Sequence, residues 1–325
     1  WPDGFDEIVG LAAHNGLLII FGKHSIVVYQ GAQSPATMSL ADTIAGVGCV
    51  DRDTIQHTGT DVIFLSYSGL RSFGRTIQEK SMPVRTLSNT ITKDIIRELT
   101  SESNLFRCVY SPEQSFYLLS FVGRKVTYCF DLRVPLEDGS LRATKWPDSV
   151  FTAYERLEDG TLYIGTTNGI SEYSGYEDNG ASYRFKYRSP GLTFGDASRI
   201  KMIKKIKPTI VGSSDTTALI KYAYDFSETY KTLTFTIPEV GVTAEFNDPD
   251  NPVDNPVNAE FNDPDNPVAN PVNAEFSGGT LQVVRQNLNP TGNGSLATIG
   301  VEADINGTEL SLQEINILAL VGKTL

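Results

Sequence analysis

The first half of the chain repeats one pattern: a polar turn, a short apolar run, a tight turn and a second apolar run. Asn15-Gly16 leads into LLIIF (17–21), Gly22-Lys23-His24 and SIVVY (25–29). Gly59-Thr60-Asp61 leads into VIFLS (62–66), Tyr67-Ser68-Gly69 and LRSF (70–73). Pro112-Glu113-Gln114 leads into SFYLLSF (115–121), Val122-Gly123-Arg124 and KVTYCFDL (125–132). Glu158-Asp159-Gly160 leads into TLYIG (161–165), a four-residue turn ending in Gly169, and ISEYS (170–174). Gly and Asn in these turns supply the positive φ that tight hairpins require. A strand-built unit recurring roughly every 45–55 residues predicts β-propeller blades. A sandwich or a plain series of meanders would satisfy the same pattern. One short helix interrupts it: Ser88 is a candidate N-cap for residues 89–99, with Ile91, Ile95, Ile96 and Leu99 at helical spacing.

Beyond residue 175 the runs lengthen. Strands are predicted at 183–189, 199–211, 218–226, 232–238, 281–288, 296–305 and 309–322, with Asn306-Gly307 as a hairpin turn between the last two. The chain is therefore all-β: partial propeller blades over 1–175, then an antiparallel β-sandwich-like domain over 176–325. An exposed insertion occupies 244–276. There AEFNDPDNPVDNPVN (244–258) is followed by AEFNDPDNPVANPVN (259–273), which differs only in Ala269 for Asp254. Prolines at 249, 252, 256, 264, 267 and 271 remove ladder donors and disfavour helix, which predicts an extended loop. Its Asp and Asn oxygens are of the kind calcium takes, but no EF-hand spacing accompanies them, and a solvated loop is the preferred reading.

Composition narrows the chemistry. The chain has 325 residues, 40% apolar and 20% charged, with a formal net charge of −12. Such a balance argues against a sequence-independent nucleic-acid clamp, which neutralises phosphates with Lys and Arg. It leaves open a surface past which DNA slides without sticking. Cys49, Cys108 and Cys129 are odd in number and widely spaced, so buried free thiols are expected rather than disulfides or zinc. No apolar run reaches the ~20 residues of a membrane span, and no signal peptide is visible. Because the chain opens at Trp1 within an ordinary-looking stretch, further sequence upstream is expected. His14, His24 and His57 lack metal or triad spacing, and no GxSxG elbow, Walker loop or dinucleotide fingerprint is present. The glycines of AGVGC (45–49) match no phosphate cradle. The acidic pairs Glu137-Asp138, Glu158-Asp159 and Glu177-Asp178 read as turn residues. The expectation is no catalytic residue, no metal and no cofactor.

One charge feature stands out, RIKMIKKIK (199–207). On an uninterrupted strand Arg199, Lys201, Lys205 and Lys207 share a face with Ile203, while Ile200, Met202 and Ile206 share the other with Lys204. A solvated sheet face is one reading. The functional reading makes Arg199, Lys201, Lys204, Lys205 and Lys207 a candidate subunit interface, in contact with an acidic neighbour. Contact with DNA is a third.

Three regions carry a resemblance to a known family. GLAAHNGLLIIFGKHSIVVYQG with DTIAGVGCVDRDTIQHTGTDVIFLSYSGLRSF is the first, SPGLTFGDASRIKMIKKIKPTIVG the second and IGVEADINGTELSLQEINILALVGK the third. Together, over about a third of the chain, they resemble the tail nozzle or tail tubular protein B family of short-tailed bacteriophages, and the related packaged-DNA stabilisation proteins. The likeness implies a propeller joined to a sandwich, and a closing hairpin at 299–323. It also implies a non-enzymatic ring of identical subunits, usually a homohexamer, that continues the DNA channel, retains the packaged genome and passes it at ejection. Its implied partners are a tail adaptor above, tail fibres or other tail proteins, and double-stranded DNA held without specific binding. The implied location is the virion tail, after assembly in the host cytoplasm. The alternatives are a propeller module that binds a host-surface receptor or polysaccharide, and a carbohydrate-active enzyme.

Overall fold

The structure is a computed structural model, described over residues 1, 4–79, 85–100, 105–213, 216–238 and 281–324. The chain divides into two compact units, Trp1–Tyr173 and Ser174–Leu325. Both are built almost entirely of antiparallel strands.

The first unit contains four meanders in chain order. The first is β1 (Ile8–His14), β2 (Leu17–Gly22), β3 (Ser25–Gln30) and β4 (Ser39–Ala45). The second is β5 (Gln56–His57), β6 (Val62–Ser66) and β7 (Gly69–Ser72), followed by the helices α1 (Phe73–Gln78) and α2 (Thr92–Leu99). The third is β8 (Phe106–Ser111), β9 (Phe116–Phe121), β10 (Val126–Asp131) and β11 (Arg142–Pro147), and the fourth is β12 (Phe151–Arg156), β13 (Leu162–Thr166) and β14 (Gly169–Glu172).

Side-chain alternation stacks these sheets face to face. On β6, Val62 and Phe64 pack with Ile19, Phe21, Ile26 and Ile44 of the first meander. Ile63 and Leu65 point the other way, into a cluster with Tyr117, Leu119 and Phe121 of β9. The opposite face of β9, Phe116 and Leu118, meets Leu162 and Ile164 of β13. Each inner sheet is therefore covered on both sides, which is why β6 and β9 read as unbroken apolar runs rather than alternating ones. Successive meanders packed on one another in chain order are propeller blades.

The helix region differs from expectation in detail. A 3₁₀ turn occupies Asn89–Ile91 and the α-helix starts only at Thr92. Ser88 makes no side-chain cap there; its hydroxyl accepts from the Leu70 amide at 3.0 Å. Ile95 is buried in the core while Ile96 is exposed, because neighbours 100° apart cannot both face one core. The short helix α1 begins where the apolar pattern suggested strand, capped by Ser72, which accepts from the Arg75 amide at 3.2 Å.

The second unit is a two-sheet sandwich. One sheet has the order β15 (Tyr183–Arg188), β20 (Ala297–Ile305), β17 (Thr217–Tyr224), β18 (Lys231–Thr236). The other is β19 (Leu281–Arg285), β16 (Arg199–Ser213), β21 (Leu310–Thr324). Ile203, Ile206 and Ile210 of β16 face Ile220, Tyr222, Ile299 and Val301 across the core. The Asn306-Gly307 turn is real, with Gly307 at φ +72° and its amide donating to the Tyr176 carbonyl at 3.0 Å. It is not a hairpin, which corrects the closing hairpin expected at 299–323. β20 pairs with β15 and β17, β21 pairs with β16, and the turn carries the chain from one sheet to the other. The duplicated insertion and its calcium reading lie outside the described residues.

Candidate functional site

The basic strand is β16, and the structure redistributes its cations. The ladder with β21 shifts between Arg199 and Lys201 and again between Ile203 and Lys205. A bulge inserts one residue and inverts the alternation beyond it. Lys201 and Ile203 point inward before the bulge, Ile206, Pro208 and Ile210 after it, and Lys204 and Lys205 are both exposed. The single basic face expected from strict alternation is thus broken. Lys201 leaves it altogether: its side chain is fully buried and its Nζ donates to the carbonyls of Asp196 and of Ser295, the latter at 2.9 Å. A residue so placed cannot touch a partner. Arg199 is exposed and bound to Asp196 at 3.1 Å. Among the described residues Lys204, Lys205 and Lys207 make no ion pair.

Those three lysines share the outer face of the sheet with apolar side chains. Met202 lies opposite Leu320, Lys205 opposite Leu318, and Lys207 opposite Asn316. Met202, Leu318 and Leu320 are 41%, 52% and 55% exposed. Further along, Arg285 bridges Glu314 at 3.2 Å and the Thr209 hydroxyl at 3.0 Å, so its charge is already met. Sequence reasoning found the lysines but missed the leucines of β21, because only the ladder register puts them beside the basic run.

A second feature lies in the first unit, where a cleft of about 420 Å³ opens at the hairpin tips of the first two meanders. Lys23 and His24 come from the β2–β3 turn, Ser66, Tyr67 and Ser68 from the β6–β7 turn, and the wall behind is Gly46–Gly48. Gly48 is required there: a Cβ would fall 2.2 Å from the Lys23 carbonyl. The adjacent Cys49 amide donates to Gly22 at 2.8 Å, fastening the loop to the turn. Asp6 organises the same turn, accepting from the amides of Lys23 and His24 at 2.9 Å and from the Ser25 hydroxyl at 2.7 Å. Burial opposes its ionisation, but these hydrogen bonds outweigh burial and hold its pKa at about 2, against an ordinary 3.8.

The buried guanidinium of Arg71 backs the cleft, donating to Ser66 and Ser68 through Nε at 3.1 Å each, and to Ser68 through Nη2 at 2.9 Å. The two serine oxygens lie 2.9 Å apart. One hydroxyl donates to the other, which leaves one proton to offer a ligand. His24 stacks on Tyr67 at 6.0 Å between ring centroids. The arrangement offers a hydroxyl proton beside an aromatic plane, while the Lys23 ammonium at its edge is already bound to Glu7 at 2.6 Å.

Among the described residues the three thiols and the turn carboxylates have structural surroundings. Burial pushes the thiols of Cys49, Cys108 and Cys129 up to about 11, about 12 and about 12, which makes them poor thiolates at neutral pH. Asp138 and Asp159 accept hydrogen bonds from their own turns, Asp138 from the Ser140 amide and Asp159 from the Thr161 amide, both at 2.9 Å. Among the described residues no group of three His, Cys, Asp or Glu side chains could hold a metal. No helix among them is long and apolar enough to cross a membrane.

No protein-family model matches the chain, and no curated protein does. Among solved structures, an exo-β-1,3-galactanase from Phanerochaete chrysosporium with galactose is similar over 92% of this chain and 79% of that one, at 9% identity and a TM-score of 0.22. A likeness at that level carries no argument about this chain's fold or activity.

Proposed function

We propose that the chain is a structural tail nozzle, or tail tube, protein of a short-tailed bacteriophage. Copies assemble into a ring, expected to be a hexamer, that continues the DNA channel, retains the packaged genome and passes it at ejection. A tail adaptor sits above it, and tail fibres or other tail proteins beside it. DNA passes without specific binding, and no step of catalysis is involved. One observation supports the reading beyond the sequence likeness. Two of the resembling stretches, 189–212 and 299–323, lie far apart in the chain, yet the β16 and β21 strands within them are ladder partners. Two of the three resembling regions thus meet in one ladder, while the other falls on the first two meanders of the first unit.

The test is the particle. Electron microscopy and light scattering of the purified protein should give a ring with a central channel. A strictly monomeric protein at high concentration, absent from virions, would overturn the reading. The hairpin-tip cleft favours a second one, a module that recognises a host-surface receptor or polysaccharide. A glycan array decides between them. Tight binding that is lost on Tyr67→Ala, by a protein that forms no ring, selects the second.

A further inference from the structure

The outer face of β16 and β21 combines three lysines without ion pairs among the described residues with exposed Met202, Leu318 and Leu320. The other sheet of the sandwich has carboxylates standing among its cations, with Glu302 opposite Lys186 and Asp304 opposite Arg184 in the ladder. There Arg184 is bound to Glu302 and Asp304, and Arg188 to Glu302. The lysine face therefore calls for an occupant that is both acidic and partly apolar.

The chain's own sequence contains such a segment. Residues 239–280 hold nine Asp and Glu and no Lys or Arg, together with Phe246, Phe261 and Phe276. The duplication presents the acidic-aromatic set twice, fifteen residues apart. Its six prolines lack amide protons, so it has few donors for adding a strand to a sheet edge; recognition would rest on side chains. The rest of the chain is far closer to neutral. Without the two copies, 27 Lys and Arg would face 32 Asp and Glu.

We infer that residues 239–280 of one copy dock on the β16–β21 outer face of the next, carboxylates against Lys204, Lys205 and Lys207 and phenylalanines against Met202, Leu318 and Leu320. This rests on the ring reading. A ring needs a heterologous contact, made by two unlike and complementary patches on every subunit. Copies with a net charge of −12 repel one another overall, and this pair of patches turns the repulsion into local attraction.

The experiment compares three full chains: the native protein, a deletion of residues 244–273, and Lys204→Glu with Lys205→Glu. Circular dichroism melting confirms that each folds. Light scattering reads the assembly at low and high salt, and fluorescence anisotropy reads binding of a labelled peptide of sequence 244–273 to the deletion variant. The expected result is assembly that fails in both variants and weakens with salt. The peptide should bind the deletion variant, and Lys204→Glu with Lys205→Glu introduced there should weaken it about tenfold, the size expected when two exposed ion pairs become repulsions. A peptide that does not bind overturns the inference. So does a peptide that binds while the deletion variant keeps its native mass, since the segment then covers its own chain. A native ring matched by an identical deletion ring sinks this contact and leaves the ring reading standing; a native monomer sinks both.

Discussion

Lys201 and Lys204 sit three residues apart in one basic run, yet one is core and the other surface. The ammonium of Lys201 joins the loop at Asp196 to the loop at Ser295, and removing it leaves two carbonyls without their donor. Lys201→Met is expected to cost on the order of 2–4 kcal/mol in urea unfolding, whereas Lys204→Met should stay within about 0.5 kcal/mol. Equal effects would show that the bulge does not separate them. Asp6 provides a pH test. Its carboxylate is held below the ordinary value, so its support of the Lys23–Ser25 turn is complete above 3.8 and lost as pH falls through about 2. Carbon-detected NMR should show Asp6 titrating near 2, with the Lys23 and His24 amides following it. A midpoint at or above 3.8 would mean that the turn does not hold the carboxylate as described.

At the scale of elements, the double coverage of β6 decides which residues matter. Phe64 is fully buried and lies 4.9 Å from Phe21 between ring centroids. Phe64→Ala should destabilise the first unit by about 3–5 kcal/mol. Ile170, on β14 of the last meander, is 79% exposed, and Ile170→Ala should change stability by no more than about 0.5 kcal/mol. Thermal or urea melts of the two variants compare them directly, and a similar loss at both positions would contradict stacking in chain order. The hairpin strands were legible because each pairs with its neighbour in sequence, so local turn chemistry specifies the pairing. The partners β1, β4, β8 and β11 were less legible. Edge strands such as β11 carry polar residues, and their place is fixed by the ladder they join rather than by their own pattern.

At the scale of the whole molecule, the acidic net charge and the basic β16 face bear on a prediction for the proposed ring. Salt should weaken an assembly held by that face, because the Debye length shrinks to ~3 Å at 1 M. An assembly held by apolar burial would tolerate salt.

What the sequence determined by itself was the local grammar: most strands, the tight turns, the all-β class and the change of style near residue 175. These follow from period-two patterning and positive-φ turn residues, which act over a few neighbouring positions. Tertiary structure decided the rest. It broke the alternation of β16 with a bulge, buried Lys201, and set the leucines of β21 beside Lys205. It also sent the chain after Asn306-Gly307 into a different sheet. The physical reason is common to all four: ladder register and sheet membership depend on residues about a hundred positions apart, and no local pattern of polar and apolar side chains encodes which distant strand will lie alongside.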